Sequence, residues 1–316
     1  MTELVNHRDA AAFGGQGWQP RKRSLQQELG TIWAECGIKD EFAPLESVLL
    51  HRPGGELQAS ANPDAVQMLA PVDLLRAQEQ HDNLAKEYGD LGITVHYLDP
   101  NVTPSPNQIF MADLLFATPE GIILARPASE VRAGEERAVA GKLADMGIPI
   151  IRSISGSATF EGADAMWINP QKVIIGKGLR TNAEGAAQIT SVLNEMGVET
   201  VIVDLPPGTM HLMGVLRIAD RNLAIAWPDR FPDAGVKALQ EEQYTVAFIP
   251  DSEEAINGFA LNFVTLRPKE IVMPAGNPVT QGFYEECGIT CHPVAVDELC
   301  KAAGAIGCLT GVLHRK

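Results

Sequence analysis

A thiol near the C-terminus and an imidazole in the middle of the chain are the side chains best suited to covalent chemistry. Cys308 directly follows Gly307, a small residue that lets the backbone approach a ligand closely, and His211 lies between apolar neighbours. A thiolate is a strong nucleophile and an imidazole titrates near neutrality, so together they could attack an electrophile and move protons. Each also has a plainer interpretation, the cysteine as a buried apolar residue and the histidine as a hydrogen-bonded core residue.

Three carboxylates add a charge preference to this chemistry. Asp113 follows a polar stretch that contains two prolines, and Glu161 and Asp164 flank Gly162 and Ala163. Acidic residues at such positions often do no more than cap a turn. A carboxylate also accepts two parallel N–H bonds from a guanidinium, so an acidic cluster beside a thiol suits a planar cationic electrophile.

The spacing of these residues indicates that they belong together. Asp113, Asp164, His211, Asn262 and Cys308 follow one another at intervals of 51, 47, 51 and 46 residues. Each follows the last strand of a strand-helix-strand pattern about 50 residues long, and a repeat of that length governs the choice of fold. If the repeats close around an axis, all five positions converge on it.

Five such patterns predict an α/β fold. Apolar strand segments bracket each unit, and a stretch of helical periodicity lies between them. The units span residues 47–98, 122–151, 173–203, 223–249 and 271–291, with helices expected at 66–88, 133–146, 184–196, 233–242 and 279–286. Residues 1–42 are expected to form an N-terminal arm or lid with a helix at 25–36, and residues 43–316 a single catalytic domain.

The charge of the chain limits the classes of partner. With 40 Asp and Glu against 25 Lys and Arg among 316 residues, the net charge is −15. Such a field repels phosphate, which argues against nucleic acid and anionic membranes and favours a small cationic or zwitterionic ligand. The start of the chain lacks the pattern of a secretory signal, and an odd count of five cysteines suits reduced thiols. We therefore expect a cytoplasmic protein. The sequence leaves its oligomeric state open, and a homo-oligomer is one of the options.

The sequence contains weak signals for two kinds of cofactor site, a zinc site and a phosphate-binding loop. A zinc site would draw on Cys287, Cys291, His292, Cys300 and Cys308, but these lack the paired spacing of structural zinc ligands. The Gly-Lys-Gly segment at 176–178 resembles a fragment of a phosphate-binding loop without its full pattern. The sequence therefore predicts neither a metal nor a cofactor.

The ordered motifs resemble one known superfamily. They are Asp113, Glu-Gly-Ala-Asp at 161–164, Gly-Leu-Arg-Thr-Asn at 178–182, His-Leu-Met at 211–213, Gly-Asn-Pro-Val-Thr at 276–280 and Gly-Cys-Leu-Thr at 307–310. From about Pro44 to the C-terminus the chain is similar to the guanidine-modifying (pentein) superfamily, above all to bacterial dimethylarginine dimethylaminohydrolase-like proteins, relatives of arginine deiminase. This resemblance implies a five-bladed α/β propeller of ββαβ-type repeats with pseudo-fivefold symmetry.

The resemblance also implies roles for the catalytic residues. Cys308 would attack the guanidine carbon and His211 would protonate the departing amine, leaving a thiouronium on sulfur. His211 would then activate water to release a ureido product, and Glu161 would orient His211 or share the substrate cation.

Substrate binding is implied at four further positions. Asp113 would clamp the guanidinium, while Asp164 would support the site or touch the substrate. Arg180 and Arg132 would hold a substrate carboxylate, the alternative for both being a solvated surface charge.

One departure concerns the substrate. Met213 stands where arginine deiminases carry the aspartate of a His-x-Asp motif, which favours a methylated or otherwise substituted guanidine. The expected activity is hydrolysis of a C–N bond in a guanidino compound, which releases an amine or ammonia. Two alternatives stay open, an amidinotransferase that passes the amidino group to an amine and a non-catalytic protein that binds guanidino ligands.

Overall fold

The computed structural model describes residues 9–100 and 103–316, and five three-stranded sheets organise them. Each sheet pairs an inner strand antiparallel to a middle strand, which runs parallel to an outer strand. The strands are β1 Leu45–Leu50, β2 Thr94–Tyr97, β3 Leu115–Thr118, β4 Gly121–Leu124, β5 Ile150–Ser153, β6 Ala165–Asn169, β7 Lys172–Lys177, β8 Glu199–Asp204, β9 Leu216–Asp220, β10 Leu223–Ala226, β11 Thr245–Phe248, β12 Val264–Arg267, β13 Glu270–Pro274, β14 Thr290–Val294 and β15 Gly311–Arg315.

A helix connects the middle and outer strands of each sheet, because parallel neighbours need a long crossover. The helices of the described residues are α1 Leu25–Glu28, α2 Leu74–Asp90, α3 Met111–Leu114, α4 Glu135–Asp145, α5 Ala183–Glu195, α6 Asp233–Glu241, α7 Ser252–Asn257, α8 Pro278–Glu286, α9 Asp297–Cys300 and α10 Ile306–Leu309. The crossover helices are α2, α4, α5, α6 and α8.

The two ends of the chain build one blade together. The order of that sheet is β15-β1-β2, with Val48 opposite Val312 and Leu49 opposite Gly311. The C-terminal strand therefore closes the ring that the N-terminal strand begins. Five blades of this form confirm the predicted five-bladed α/β propeller.

Burial follows the position of each strand in its blade. The middle strand β4 and the inner strand β3 are buried along their whole length, whereas the outer strand β5 is partly exposed. Inner strands face the propeller axis, where side chains from the blades pack together. The apolar sequences of β4, of β10 and of the centre of β7 are those expected of strands covered on both faces.

Two element predictions are wrong at their bounds. The helix expected at 66–88 begins at Leu74, because Asp73 caps it by accepting from the N–H groups of Leu75 and Arg76. The helix expected at 25–36 ends at Glu28, and Gly30 follows with a φ of 74° that breaks the helix.

The five positions with the 50-residue spacing lie at the junctions between blades. Asp113 lies in α3, directly before β3, and Cys308 lies in α10, directly before β15. Asp164, His211 and Asn262 precede β6, β9 and β12 in the same way. Each junction leads from an outer strand back to an inner strand, so all five approach the axis.

The end of the N-terminal segment packs on the propeller. The N–H of Gly37 donates to Leu313 at 2.7 Å, and Glu41 accepts from the N–H of Trp167 at 3.0 Å. Cys36 and Ile38 are buried in the core that β3 and β4 share. A lid role for the rest of the predicted arm stays a prediction, and its residues 1–8 lie outside the described part of the chain.

None of the helices in the described ranges has the length and hydrophobicity of a membrane-spanning segment.

Candidate active site

A narrow cleft at one end of the axis is lined by four of the predicted residues, Asp113, Arg132, Arg180 and Cys308, while His211, Glu161 and Asp164 lie outside its lining. Its volume is about 10 Å³, room for about one water molecule. Its walls come from blade junctions and from loops that lead into crossover helices: Gln67, Asn107, Phe110, Asp113, Arg132, Arg180, Met210, Ala302, Ala303 and Cys308. Residues up to 241 positions apart therefore share one site, as the repeat spacing predicts.

Asn262 holds Cys308 at the base of this cleft. Its Oδ1 accepts from the backbone N–H of Cys308 at 3.0 Å, and its Nδ2 donates to Sγ at 3.1 Å. Burial and the nearby charge of Asp113 raise the pKa of the Cys308 thiol to about 11, although the Asn262 hydrogen bond and Arg217 act in the opposite direction. Without substrate the sulfur is therefore mostly protonated at neutral pH.

His211 is fixed by Glu161. Its Nε2 lies 2.7 Å from Glu161 Oε2 and 3.9 Å from Asp113 Oδ1. Burial lowers the pKa of His211, but the charges of Asp113, Asp164 and Glu161 outweigh it and raise the pKa to about 9. The ring is therefore an imidazolium at neutral pH that donates from Nε2 to Glu161, which leaves Nδ1 without a partner among the described residues.

Glu161 is the centre of the charge network. Its Oε1 accepts from the N–H of Ala128 at 3.1 Å and from Arg180 Nη1 at 3.3 Å, while Oε2 accepts from His211 and from Arg132 Nη1 at 3.1 Å. Burial raises the pKa of this carboxyl, yet the hydrogen bond and charge of His211 and the two arginines lower it far below its usual range. Glu161 is therefore ionised at every working pH.

Arg132 lies between the carboxylates rather than at the surface. Its Nη1 donates to Asp113 Oδ2 at 2.7 Å, and its Nε donates to Glu135 at 2.9 Å. With only 2% of the residue exposed, the surface alternative for Arg132 is wrong. Asp113 Oδ1 is buried and has no hydrogen bond among the described residues, so it is the free acceptor of the site.

Asp164 lies behind His211. Its Oδ1 accepts from the N–H of Leu212 at 2.9 Å, and its Oδ2 accepts from the hydroxyl of Thr181 at 2.7 Å. The side chain is fully buried and does not line the cleft, so in this conformation it supports the site rather than touching a substrate. Burial raises the pKa of Asp164 to about 6, against the effect of His211.

This arrangement predicts the effect of Asp164→Asn. An asparagine can keep both hydrogen bonds, because the Thr181 hydroxyl can accept as well as donate. Loss of the negative charge should lower the pKa of His211 by about one unit, since an opposite charge nearby favours the protonated ring. NMR titration of the His211 ring, assigned with a His211→Gly variant, measures the shift. Asp204→Asn, at an exposed ion pair with Lys177, is the matched control and should leave that pKa unchanged. An unchanged or higher pKa in Asp164→Asn would contradict the prediction.

The remaining predicted residues are placed as follows. Arg180 is buried, with 8% exposed, and reaches the cleft. Met213 lines a separate cavity on the propeller axis instead of the cleft. Asn262 stands at the expected repeat position, but its double contact with Cys308 cannot be read from spacing. Gln67 was not predicted at all, and no local motif marks it.

The donor set also bears on metal binding. One ligand atom each from Asp113, Glu161 and His211 lie within 4.8 Å of one another, a spacing that a metal ion could use. Arg132 already supplies positive charge to both carboxylates at 2.7 and 3.1 Å. The set therefore suits a guanidinium, which offers the same charge with planar N–H donors. In the described residues, the cysteines and histidine considered for zinc do not gather into a comparable group.

Comparisons with known proteins agree with this geometry. The family described as N,N dimethylarginine dimethylhydrolase, eukaryotic, matches residues 66–310. N(G),N(G)-dimethylarginine dimethylaminohydrolase of Mycobacterium tuberculosis is 29% identical over 247 residues, 78% of each chain. The enzyme of the same name from Pseudomonas aeruginosa is 26% identical over 244 residues, 77% of this chain and 90% of the relative.

A solved structure shares the fold. The Pseudomonas aeruginosa enzyme, as a cysteine-to-serine mutant complexed with citrulline, superposes with a TM-score of 0.72 at 23% identity, covering 86% of this chain and 100% of the other. The family match extends over most of the propeller and includes both Asp113 and Cys308. The chain therefore belongs to the dimethylarginine dimethylaminohydrolase family, guanidine-modifying hydrolases that act on C–N bonds of linear amidines.

Proposed function

We propose that this protein hydrolyses an N-substituted arginine, with Cys308 as nucleophile and His211 as the group that moves protons. The observation that carries the proposal is that the Cys308 thiol and Asp113 line one cleft, where Asp113 Oδ1 has no hydrogen-bond partner among the described residues and lies 3.9 Å from the His211 imidazolium. Dimethylarginine is the substrate named by the relatives, and we assign it to this chain as the first compound to test.

Binding of the guanidinium would use the free acceptor. Asp113 Oδ1 accepts no hydrogen bond from any described residue, so an N–H of the substrate can donate to it without displacing Arg132 from Oδ2. A cation beside Sγ stabilises the thiolate, which lowers the pKa of Cys308 from its value of about 11 in the empty site. The nucleophile is thus formed when the substrate is present.

The chemistry then proceeds in two stages. The thiolate attacks the guanidinium carbon and forms a C–S bond, and His211 donates a proton to the departing nitrogen as the C–N bond breaks. Water next attacks the thiouronium carbon and gives one proton to the neutral His211. The C–S bond then breaks to return the thiolate, and the remaining hydroxyl proton leaves to solvent as the ureido carbonyl forms. The products are an amine and a ureido compound, and Nδ1 is the ring atom assigned to both transfers because Nε2 is bonded to Glu161.

An arginine side chain is assigned to bind the carboxylate of the substrate. Arg180 reaches the cleft from the loop between β7 and α5, and its positive charge suits a carboxylate. Arg132 remains a second candidate, although in this conformation its guanidinium is engaged by three carboxylates. The cleft must widen to admit an amino acid, since about 10 Å³ holds no more than a water molecule.

A panel of guanidino compounds tests the proposal. Arginine, monomethylarginine and dimethylarginine are incubated with the protein, and ammonia, methylamine, dimethylamine and the ureido product are quantified. We expect equal amounts of dimethylamine and citrulline from dimethylarginine. Transfer of the amidino group to added glycine or ornithine without free amine would instead identify an amidinotransferase. Saturable binding without any product would identify a binding protein.

A further inference from the structure

A cavity lined by both charged and apolar side chains lies on the propeller axis behind the nucleophile. It measures about 40 Å³, enough for a few water molecules. Gly307 and Thr310 form part of its wall, whereas Cys308 between them faces the cleft. The short segment that carries the thiol therefore separates the substrate site from this axial cavity.

Arg217 enters the cavity from β9 and is poorly paired. Its guanidinium lies against Gly307, where a methyl group would come within 3.3 Å of Nη2, and it stacks over the ring of Phe263 at 5.3 Å. Only 8% of the residue is exposed. Within the described residues, the hydrogen bonds and salt bridges do not include its guanidinium. A buried cation without an ionic partner is costly, so this position calls for a negative charge nearby.

The charged groups around the cavity include two cations. Arg315 is the second, held by the carbonyls of Ala43 and Thr265 at 2.7 Å each. Among the described residues, Glu41 is the carboxylate that lines the cavity, and it accepts from the N–H of Trp167. Asp40 is buried nearby and acts on Arg315 together with Glu41. The Arg217 cation is favoured by the charge of Glu41 and, when the thiol is ionised, by that of Cys308 behind Gly307.

We propose that Arg217 stabilises the Cys308 thiolate from the axial cavity, on the side opposite to the substrate. Arg217 is then a positioning residue that acts through the nucleophile without touching the substrate, and the inference rests on the role proposed for Cys308. Among the other groups around the thiol, the charge of Asp113 disfavours its ionisation, whereas hydrogen bonds from Asn262 and from the backbone at Ala305 favour it. Cys300 stays protonated when Cys308 ionises, because burial and the charge of Cys308 raise the pKa of Cys300 to about 12. The arginine is the cation that acts on Cys308 in this set, and its charge lowers the pKa of the thiol.

The pH dependence of alkylation tests this assignment without substrate. Iodoacetamide is added to the full-length protein between pH 7 and 11, and labelling of the Cys308 peptide is followed by mass spectrometry. Because the pKa of the thiol is about 11, the midpoint is taken as the pH at which labelling reaches half of the peptide in a fixed time. Arg217→Gln should raise the midpoint by about one pH unit, which slows labelling about tenfold at a fixed pH below it. Arg217→Lys, which keeps the charge, should stay within a few tenths of a unit of the parent. An unchanged midpoint in Arg217→Gln, or equal shifts in both variants, would overturn the inference.

Glu41→Gln provides a second, independent measurement. It removes the carboxylate that competes for Arg217 and Arg315, so the midpoint of Cys308 alkylation should fall. If Arg217→Gln does not fold, this variant decides alone, and an unchanged or higher midpoint refutes the role of the cavity. Because alkylation needs no turnover, a protein that is inactive on every guanidino compound but shows these shifts would refute the proposed function and leave the inference standing.

Discussion

Replacing Cys308 with serine is expected to abolish turnover of dimethylarginine while the propeller stays folded. A serine hydroxyl ionises far less readily than a thiol, so the attacking anion is lost even with the cation bound. The smaller Oγ still fits between Asn262 and the cleft, where Sγ now accepts from Nδ2 at 3.1 Å. Loss of a covalent nucleophile typically costs about 10⁴-fold or more in kcat. The rate of dimethylamine release measures the loss, and thermal unfolding checks the fold.

Cys300→Ser is the matched control. This half-buried thiol ends α9, close in sequence to the nucleophile, and has no assigned role. The variant should retain activity within a factor of about two. Near-normal activity in Cys308→Ser, or inactivation by Cys300→Ser alone, would refute the assignment of the nucleophile.

Replacing His211 with glycine is expected to trap the covalent intermediate. Without the imidazole, water loses the group assigned to accept its proton, so the thiouronium on sulfur should accumulate. Proton transfer by a positioned side chain contributes about 10²- to 10⁴-fold, and we expect kcat to fall by that range. Mass spectrometry of the protein incubated with substrate should show an adduct, and digestion should place it on Cys308.

His292→Gln is the control for this variant. His292 lies on β14, where it pairs with Glu87 and Glu270 at 3.2 and 3.0 Å, outside the cleft. The His292→Gln variant should turn over the substrate at the normal rate and show no adduct. An adduct of His211→Gly found on Cys287 or Cys291 would contradict the mechanism, because both thiols belong to the fifth blade and not to the cleft.

Much of the fold follows from local patterns in the sequence. The outer and middle strands and the crossover helices repeat about every 50 residues, and helical or apolar periodicity marks each of them. The inner strands β3, β6, β9 and β12 carry no separate signal, because they are four or five residues long and buried throughout or nearly so. The predicted start of α2 is too early, because apolar residues before Asp73 continue the helical pattern. The helix nevertheless begins at Leu74, where the side chain of Asp73 caps the first turn.

The spacing of the motifs is enough to predict the number of repeats and the residues that meet at the axis, because equal spacing in equal units places equivalent positions together. What each residue contacts there is visible only in the folded protein. Arg132 pairs with Asp113 rather than lying at the surface, Asp164 supports the backbone of Leu212, and Arg217 lies behind Gly307. These contacts join residues from different blades, and their distances depend on how the blades pack, which no local pattern of side chains specifies.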